Sequence, residues 1–330
     1  MVATAQILSG RQTVLFYDPI HPHGMARIAA SHDVVGPDGW RDDPRHLSAS
    51  VIVIRTTDLP AELIARMPAL RLIVKHGAGV DNIPMAACTR AGIWVANTPG
   101  GSNATAVAEG AVTLMLSVLR RVRDMDAIVR ENRWNARWQT RLGDLSDARV
   151  GLIGFGRIAR FTARICGAGF GADVAACDPL VSAEDMAAAG VAKVDLPELL
   201  TRDVISIHVP LTAETCNLIG SRELATMHSG AIIVNTSRGG IIDEDALADA
   251  LRRGRIAGAG IDVFAQEPPA ADHPLVGLPN VVLSPHVAGV TEASMKGMAL
   301  AVAEVIDTVL AGAVPATLLN REVLPSCLHR

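Results

Sequence analysis

Three short segments carry polar groups that a buried strand does not need: Asn235-Thr-Ser-Arg238-Gly-Gly240, Asp262-Val-Phe-Ala-Gln-Glu267-Pro268 and Ser284-Pro-His286-Val-Ala-Gly289. The planar fork of an arginine matches the two oxygens of a carboxylate. A histidine, with an ordinary pKa of about 6.5, exchanges protons near neutrality, and a carboxylate beside it can fix its ring. Taken singly, each residue has a plainer reading: a solvated arginine, a structural histidine after proline, a glutamate–proline loop. Each segment, however, lies at or just beyond the end of an apolar run that reads as a strand. Strand ends are where open α/β sheets hold their ligands.

A second constellation is Arg149-Val-Gly-Leu-Ile-Gly154-Phe-Gly156-Arg157-Ile158-Ala159, an apolar strand followed by G-x-G-x-x-A and a helix. Gly154 permits the tight turn, Gly156 lets the backbone approach a pyrophosphate, and the small Ala159 permits close packing of helix on strand. The helix N-terminus then offers free N–H groups to the phosphates. The motif alone is weak, but Asp178 stands at the end of the next apolar run, 19 residues after Ala159. A carboxylate there accepts hydrogen bonds from the adenosine ribose and repels a 2′-phosphate, which favours NAD over NADP. Its plain reading is a turn residue before Pro179.

The elements that must position these groups read as two strand–helix alternations. In the first, strands are expected at Thr13–Tyr17, Ser50–Ile54, Arg71–Lys75 and Ile93–Ala96, with helices at Gly24–Ala30, Pro60–Met67 and Pro84–Ala91. A long helix follows over Ala104–Leu119, capped by Ser102 or Asn103. It is apolar on nearly every side and therefore buried, either as a core helix or between two domains. Arg120–Leu145 is arginine-rich, carries Trp134 and Trp138, lacks clear periodicity and reads as an extended excursion, with packing or a subunit interface as its role.

The second alternation has strands at Arg149–Ile153, Asp173–Cys177, Val204–His208, Ala231–Asn235, Gly258–Val263 and Val281–Ser284. Asp243 caps a helix that turns Leu247 and Leu251 inward and ends at Gly254. A last long helix starts near Thr291, with Met295, Met298, Val302, Ile306 and Val309 at helical spacing and Gly312 closing it. It returns the chain to the first domain. The expected organisation is α/β, with two doubly wound parallel-sheet domains: an NAD-binding Rossmann domain over 104–296 inserted into a flavodoxin-like domain made of 1–103 and 297–330.

The bulk numbers agree with two domains. The chain has 330 residues, 49% of them apolar, and a net charge of -4, so it has no basic footprint for nucleic acid or anionic membrane. The five cysteines form no CxxC pair, and their number is odd. They suit a reduced, cytoplasmic setting. Neither a signal-like start nor a membrane-length apolar run stands out. No His, Cys and acid cluster has ligand spacing, His21-x-His23 included, so no metal is expected.

From Lys75-His-Gly-Ala-Gly-Val-Asp-Asn82 through Gly154–Ala159 to Ser284–Gly289, the chain resembles the D-isomer-specific 2-hydroxyacid dehydrogenases, in particular the phosphoglycerate dehydrogenase-like branch. The motifs occur in the family's order over almost the whole length. The resemblance implies that His286 gives a proton to the keto oxygen and takes it back in oxidation. It also implies that Glu267 fixes the histidine ring and that Arg238 binds the substrate carboxylate. Hydride passes directly between the nicotinamide and the substrate carbon. Further cofactor contacts are implied for Arg157 and Ile158 at the pyrophosphate and for His208, Val209 and Pro210 at the adenosine. On the nicotinamide side they are implied for Thr236, Ser237, Arg238, Asp262, His286, Ala288 and Gly289.

On the substrate side, the backbone of Gly77-Ala78-Gly79 offers an anion nest. Arg55, following the Val51–Ile54 strand, faces the same cleft in this reading. An arginine in that setting contacts the substrate phosphate in the phosphoglycerate branch. The expected substrates are small 2-hydroxy or 2-keto acids, with 3-phosphoglycerate, hydroxypyruvate, glyoxylate, sulfolactate and simple D-2-hydroxy acids as candidates. The resemblance further implies a site between two domains whose closure excludes water, and a homodimer formed through the cofactor domain. A rival reading is an NAD-sensing scaffold like the C-terminal-binding-protein corepressors, which share the fold and the Arg, Glu and His. The chain shows no long polar tail of the kind that recruits partners.

Overall fold

The computed structural model describes residues 8–99 and 101–324. The chain forms two compact units. One holds the described residues up to Asn103 and those from Thr291 onward, and the other is Ala104–Val290.

The first unit is built from β1 (Thr13–Phe16), α1 (Pro22–Ser31), β2 (Asp33–Val35), β3 (Val51–Ile54), α2 (Ala61–Ala65), β4 (Leu72–Lys75), α3 (Met85–Arg90) and β5 (Trp94–Asn97). The five strands pair in parallel in the order β2-β1-β3-β4-β5, the flavodoxin-like order. β-Branched runs such as Val51-Ile-Val-Ile54 suit a strand covered on both faces. Side chains alternate accordingly. Val14, Phe16, Val51, Val53, Leu72 and Val74 enter one core, while Leu15, Ile52, Ile54, Ile73 and Val95 enter the other with Ile64 and Cys88 of the flanking helices.

The second unit follows with α4 (Gly101–Leu119), most of which it contains, then α5 (Val122–Arg130), β6 (Arg149–Ile153), α6 (Arg157–Arg164), β7 (Asp173–Cys177), α7 (Ala183–Ala187), β8 (Ala192–Lys193) and α8 (Leu196–Leu199). It continues with β9 (Val204–Ile207), α9 (Ser221–Thr226), β10 (Ile232–Asn235), α10 (Glu244–Arg252), β11 (Gly258–Ile261) and β12 (Val281–Leu283). Its seven parallel strands run β12-β11-β10-β9-β6-β7-β8, the doubly wound dinucleotide-binding order with one added edge strand. The order reverses between β6 and β9, so the Gly154 turn and the end of β9 stand at the switch point. The closing helix α11 (Glu292–Leu310) belongs to the first unit and buries Met298, Ala299, Val302, Ala303, Ile306 and Val309.

Several expectations shift. α4 begins at Gly101, ahead of both expected caps. Asn103 is inside it, its side-chain amide directed at Ser294 Oγ, 3.4 Å away. Arg120–Leu145 is not an extended excursion, because α5 and a 3₁₀ turn at Trp134–Gln139 occupy much of it. α5 carries Val122, Met125, Ile128 and Val129 at helical spacing, but the helix is only 9 residues long and of these Ile128 is the buried one. Met295 is half-buried rather than a core residue; Ser294 takes the inward position. The short β2 and β8 and the helices α7–α9 are too brief for a periodic signal. Cys88 and Cys166 are buried as small core residues, with burial pushing their thiols up to about 11 and about 12; Cys216 is exposed, and Cys327 lies outside the described residues.

Candidate active site

The Gly154–Ala159 turn leads from β6 into α6. Gly154 has φ +91°, a conformation glycine adopts freely, and a Cβ there would meet the His208 carbonyl at 2.7 Å and Val209 Cγ1 at 2.8 Å. Gly156 is different. A Cβ on it would find nothing within 4 Å, and it precedes a helix with no side-chain cap. An open approach to uncapped N–H groups is what a pyrophosphate requires. Ala159 is fully buried beneath this turn.

Asp178, beyond the end of β7, accepts Phe155 N–H and Leu180 N–H, both at 2.8 Å. It is thus both the turn residue of the plain reading and a brace for the glycine loop, and it is half-buried. At the ends of β9 and β10, both ring nitrogens of His208 and the Thr236 hydroxyl are shielded from solvent and have no protein hydrogen-bond partner. Burial pushes the His208 imidazole down to about 4, so it is neutral at pH 7. Unpaired polar groups of this kind, next to the open glycine turn, fit a site that accepts a dinucleotide.

The three loops with Arg238, Glu267 and His286 follow the adjacent strands β10, β11 and β12. Asn235 shapes the first: its side chain donates to the Arg238 carbonyl at 2.8 Å and accepts Ser237 N–H at 3.0 Å. Ser237 Oγ donates to the Ile207 carbonyl at 2.8 Å, tying the loop to β9. Arg238 Nη1 donates to the Ser237 carbonyl at 2.7 Å. Gly239 then passes so close to the second loop that a Cβ would lie 1.9 Å from Phe264 C and 2.2 Å from Ala265 N.

Glu267 Oε1 accepts Phe264 N–H at 3.1 Å, and its Oε2 is 2.8 Å from His286 Nδ1. The His286 side chain is 43% exposed against 38% for Glu267. His286 has φ +55°, an uncommon backbone state for a residue with a side chain. Asp262, 1% exposed, holds the chain there. Its backbone carbonyl accepts His286 N–H at 2.7 Å. Its carboxylate accepts Val287 N–H at 2.9 Å, Ala288 N–H at 3.0 Å and the Ser284 hydroxyl. With both oxygens engaged, Asp262 shapes the loop that offers Ala288 and Gly289. Gly110 of α4 lets the helix approach this loop, since a Cβ on it would be 2.8 Å from Ala288 Cβ.

Sequence reasoning assigned no role to Asn235, Gly239 or Gly110. Asn235 and Gly239 stood inside a segment already singled out; Gly110 lies within the long helix and carries no side chain to signal a contact.

In the first unit, Arg55, His76 and Gly77–Gly79 come together past the ends of β3 and β4. Asp18, buried and absent from the sequence-level reading, accepts the N–H groups of Arg55, Thr56 and Thr57 at 2.7, 2.9 and 3.2 Å, and the Thr57 hydroxyl. Although burial opposes it, these donors together hold the Asp18 carboxyl below its ordinary range. Lys75 Nζ donates to the Arg55 carbonyl and to Asn82 Oδ1. Gly77, at φ +123°, donates to Thr98 Oγ1 at 2.9 Å; Ala78 is exposed and Gly79 half-buried. His76 is buried, and burial together with the Arg55 charge pushes it down to about 4. His21 bonds Glu292 at 2.8 Å, and no group of three His, Cys, Asp or Glu able to hold a metal exists among the described residues.

The family description "D-isomer specific 2-hydroxyacid dehydrogenase, NAD binding domain" matches residues 112–288. The chain is also 38% identical over 320 residues to a glyoxylate reductase of Korarchaeum cryptofilum, covering 92% of this chain and 95% of that protein. This chain belongs to the D-isomer specific 2-hydroxyacid dehydrogenase family. It is an NAD-dependent oxidoreductase acting on the CH–OH group and the corresponding keto acids. A D-3-phosphoglycerate dehydrogenase of Archaeoglobus fulgidus is 39% identical over 273 residues, 82% of this chain, and this dehydrogenase spans about half (51%) of that relative's length. Among solved structures, D-lactate dehydrogenase from Aquifex aeolicus, complexed with NAD and lactic acid, superposes with a TM-score of 0.80 at 29% identity, covering 91% of this chain and 96% of that one.

Proposed function

We propose that this dehydrogenase interconverts a short 2-keto acid and its D-2-hydroxy acid, with glyoxylate or hydroxypyruvate as the first candidates. The observation that carries this reading is the His286–Glu267 contact on a loop neighbouring Arg238, in the unit that holds the Gly154 turn. NADH supplies the hydride when bound. Arg238 holds the substrate carboxylate and draws electron density from the adjacent carbonyl. His286 delivers a proton to the keto oxygen from Nε2, while Glu267 at Nδ1 fixes the orientation of the ring. The glycine turn and α6 hold the pyrophosphate through Gly156, Arg157 and Ile158; Asp178 holds the adenosine ribose, with His208, Val209 and Pro210 lining that side. Thr236, Ser237, Ala288 and Gly289 flank the nicotinamide, and Asp262 acts through the backbone it holds.

Ala78 and Gly79 are assigned to the substrate carboxylate. Arg55 is assigned to an anionic tail, because its guanidinium makes no hydrogen bond or ion pair among the described residues. That favours a phosphorylated acid such as 3-phosphoglycerate as the second reading. A steady-state panel with NADH decides between them. The first reading expects the highest kcat/KM with glyoxylate or hydroxypyruvate and little effect of Arg55→Ala. The second expects phosphohydroxypyruvate to lead and Arg55→Ala to reduce its kcat/KM far more than that of glyoxylate.

The exposed rings of Trp134 and Trp138, with Arg137 stacked on both at 4.8 and 4.6 Å, are assigned to a homodimer interface. Light scattering expects a dimer; a monomer at working concentration would refute this assignment.

A further inference from the structure

Glu244 is the first residue of α10, where a carboxylate is ordinarily explained by the positive end of the helix dipole. Its side chain is engaged more specifically. Oε1 accepts Ala265 N–H at 2.7 Å, and Oε2 is 2.9 Å from His273 Nε2. Both side chains are largely buried, at 15% and 13% exposure. The His273 ring is fixed in turn. Its Nδ1 accepts Leu275 N–H at 3.3 Å, which assigns the proton to Nε2 and makes His273 the donor to Glu244. The ring also meets Phe264 edge-on, with centroids 5.4 Å apart.

The Phe264–Ala265 peptide gripped in this way is central to the active site. Phe264 N–H donates to Glu267, and Gly239 packs directly on the peptide. Arg238, by contrast, has its own support from Asn235. An exposed ion pair would contribute little. A half-buried carboxylate that spends one oxygen on a backbone N–H and the other on a fixed imidazole holds that backbone in place.

We propose that Glu244 and His273 are positioning residues that set Glu267 against His286 by bracing the Phe264–Ala265 peptide; this rests on the dehydrogenase reading above. The brace acts on the acid–base pair and not on carboxylate binding, so it affects kcat and leaves KM nearly unchanged. An amide at position 244 keeps one of the two contacts: its oxygen still accepts Ala265 N–H, while its NH2 faces the His273 Nε2–H and loses that bond, so Glu244→Gln should behave like His273→Ala rather than like Glu244→Ala.

The test is a mutant cycle on the full chain, with keto-acid turnover by the wild type established first. Absence of wild-type turnover would overturn the dehydrogenase reading; the outcomes below concern the brace. Glu244→Ala is expected to lower kcat by about tenfold or more, since a shift approaching 1 Å near the chemistry costs up to ~10²-fold. The keto-acid KM stays within about threefold, and Glu244→Gln restores kcat to within about threefold of wild type. In a Glu267→Ala background, Glu244→Ala causes no further loss, because residues acting through one group are not additive. His273→Ala, which loosens Glu244 without deleting it, gives about a threefold loss alone and none in the Glu267→Ala background. It supplies the same cycle if Glu244→Ala does not fold. Wild-type kcat in Glu244→Ala, equal losses in both backgrounds, or failure of the Gln variant to rescue would overturn the proposal.

Discussion

Replacing Gly239 by alanine puts the relation between the Arg238 and Glu267 loops to a quantitative test. The new Cβ would stand 1.9 Å from Phe264 C, 2.0 Å from its oxygen and 2.2 Å from Ala265 N. All three are backbone atoms, so no side-chain rotation relieves the clash. Restoring a separation of 3.0–3.4 Å requires the two loops to part by about 1.1–1.5 Å. Overpacking of this kind costs about 1–3 kcal/mol, and a typical domain has about 5–15 kcal/mol in hand, so the variant is expected to fold. Displacement of catalytic groups by about 1 Å costs up to ~10²-fold in rate. The assay is kcat/KM with the best keto acid, alongside a fluorescence titration of NADH and a thermal melt. The expected result is a loss of about 10²-fold in kcat/KM with NADH affinity within about threefold, because the Gly154 turn is untouched. Gly254→Ala is the control: its φ of +63° makes the substitution strained, but the Cβ meets nothing within 4 Å. It should lower stability by about 1 kcal/mol and leave turnover alone. A folded Gly239→Ala protein with wild-type kcat/KM would refute the coupling of the two loops.

Two further predictions concern the cofactor and pH. Asp178→Asn keeps an acceptor for Phe155 N–H but removes the charge facing a 2′-phosphate, so the ratio of NAD to NADP affinity should fall by about tenfold in fluorescence titrations; an unchanged ratio would remove Asp178 from cofactor selection. His76 and His208 are both depressed to about 4 by burial, whereas an unfolded chain binds those protons near 6.5. The unfolded state therefore takes up more protons between these values. The stability present above pH 6.5 is lost as pH falls towards 4, by about 3 kcal/mol for each group at the limit. Urea unfolding of the cofactor-free protein across that window should show the slope, and His76→Leu should flatten it for the first unit; an unaltered slope would mean that His76 does not carry the effect.

Much of this was legible in the sequence because the signals were local. The run Val51-Ile-Val-Ile54 reads as a doubly covered strand, and Gly154-Phe-Gly156 announces its turn through residue type alone. The order of Arg238, Glu267 and His286 along the chain carried the family resemblance. The groups that hold these residues in place were less visible, because their contacts are set by tertiary approach. Gly239 matters through Phe264, 25 residues on, and Asp18 through the Arg55–Thr57 backbone, 37 residues on. Glu244 acts through Ala265 and His273, 21 and 29 residues on. α5 is a different case: its apolar positions Val122, Met125, Ile128 and Val129 do have helical spacing, but they span only 9 residues in an arginine-rich stretch.

In the proposed reaction, His286 and Arg238 carry the exchange between a keto acid and its D-hydroxy acid. Chiral analysis of the product formed from hydroxypyruvate and NADH tests it most directly, with wild type, His286→Ala and Arg238→Ala run in parallel. D-glycerate is expected from the wild type, with a rate at least ~10²-fold lower from each variant. Formation of the L-isomer, or near-normal rates in both variants, would contradict it.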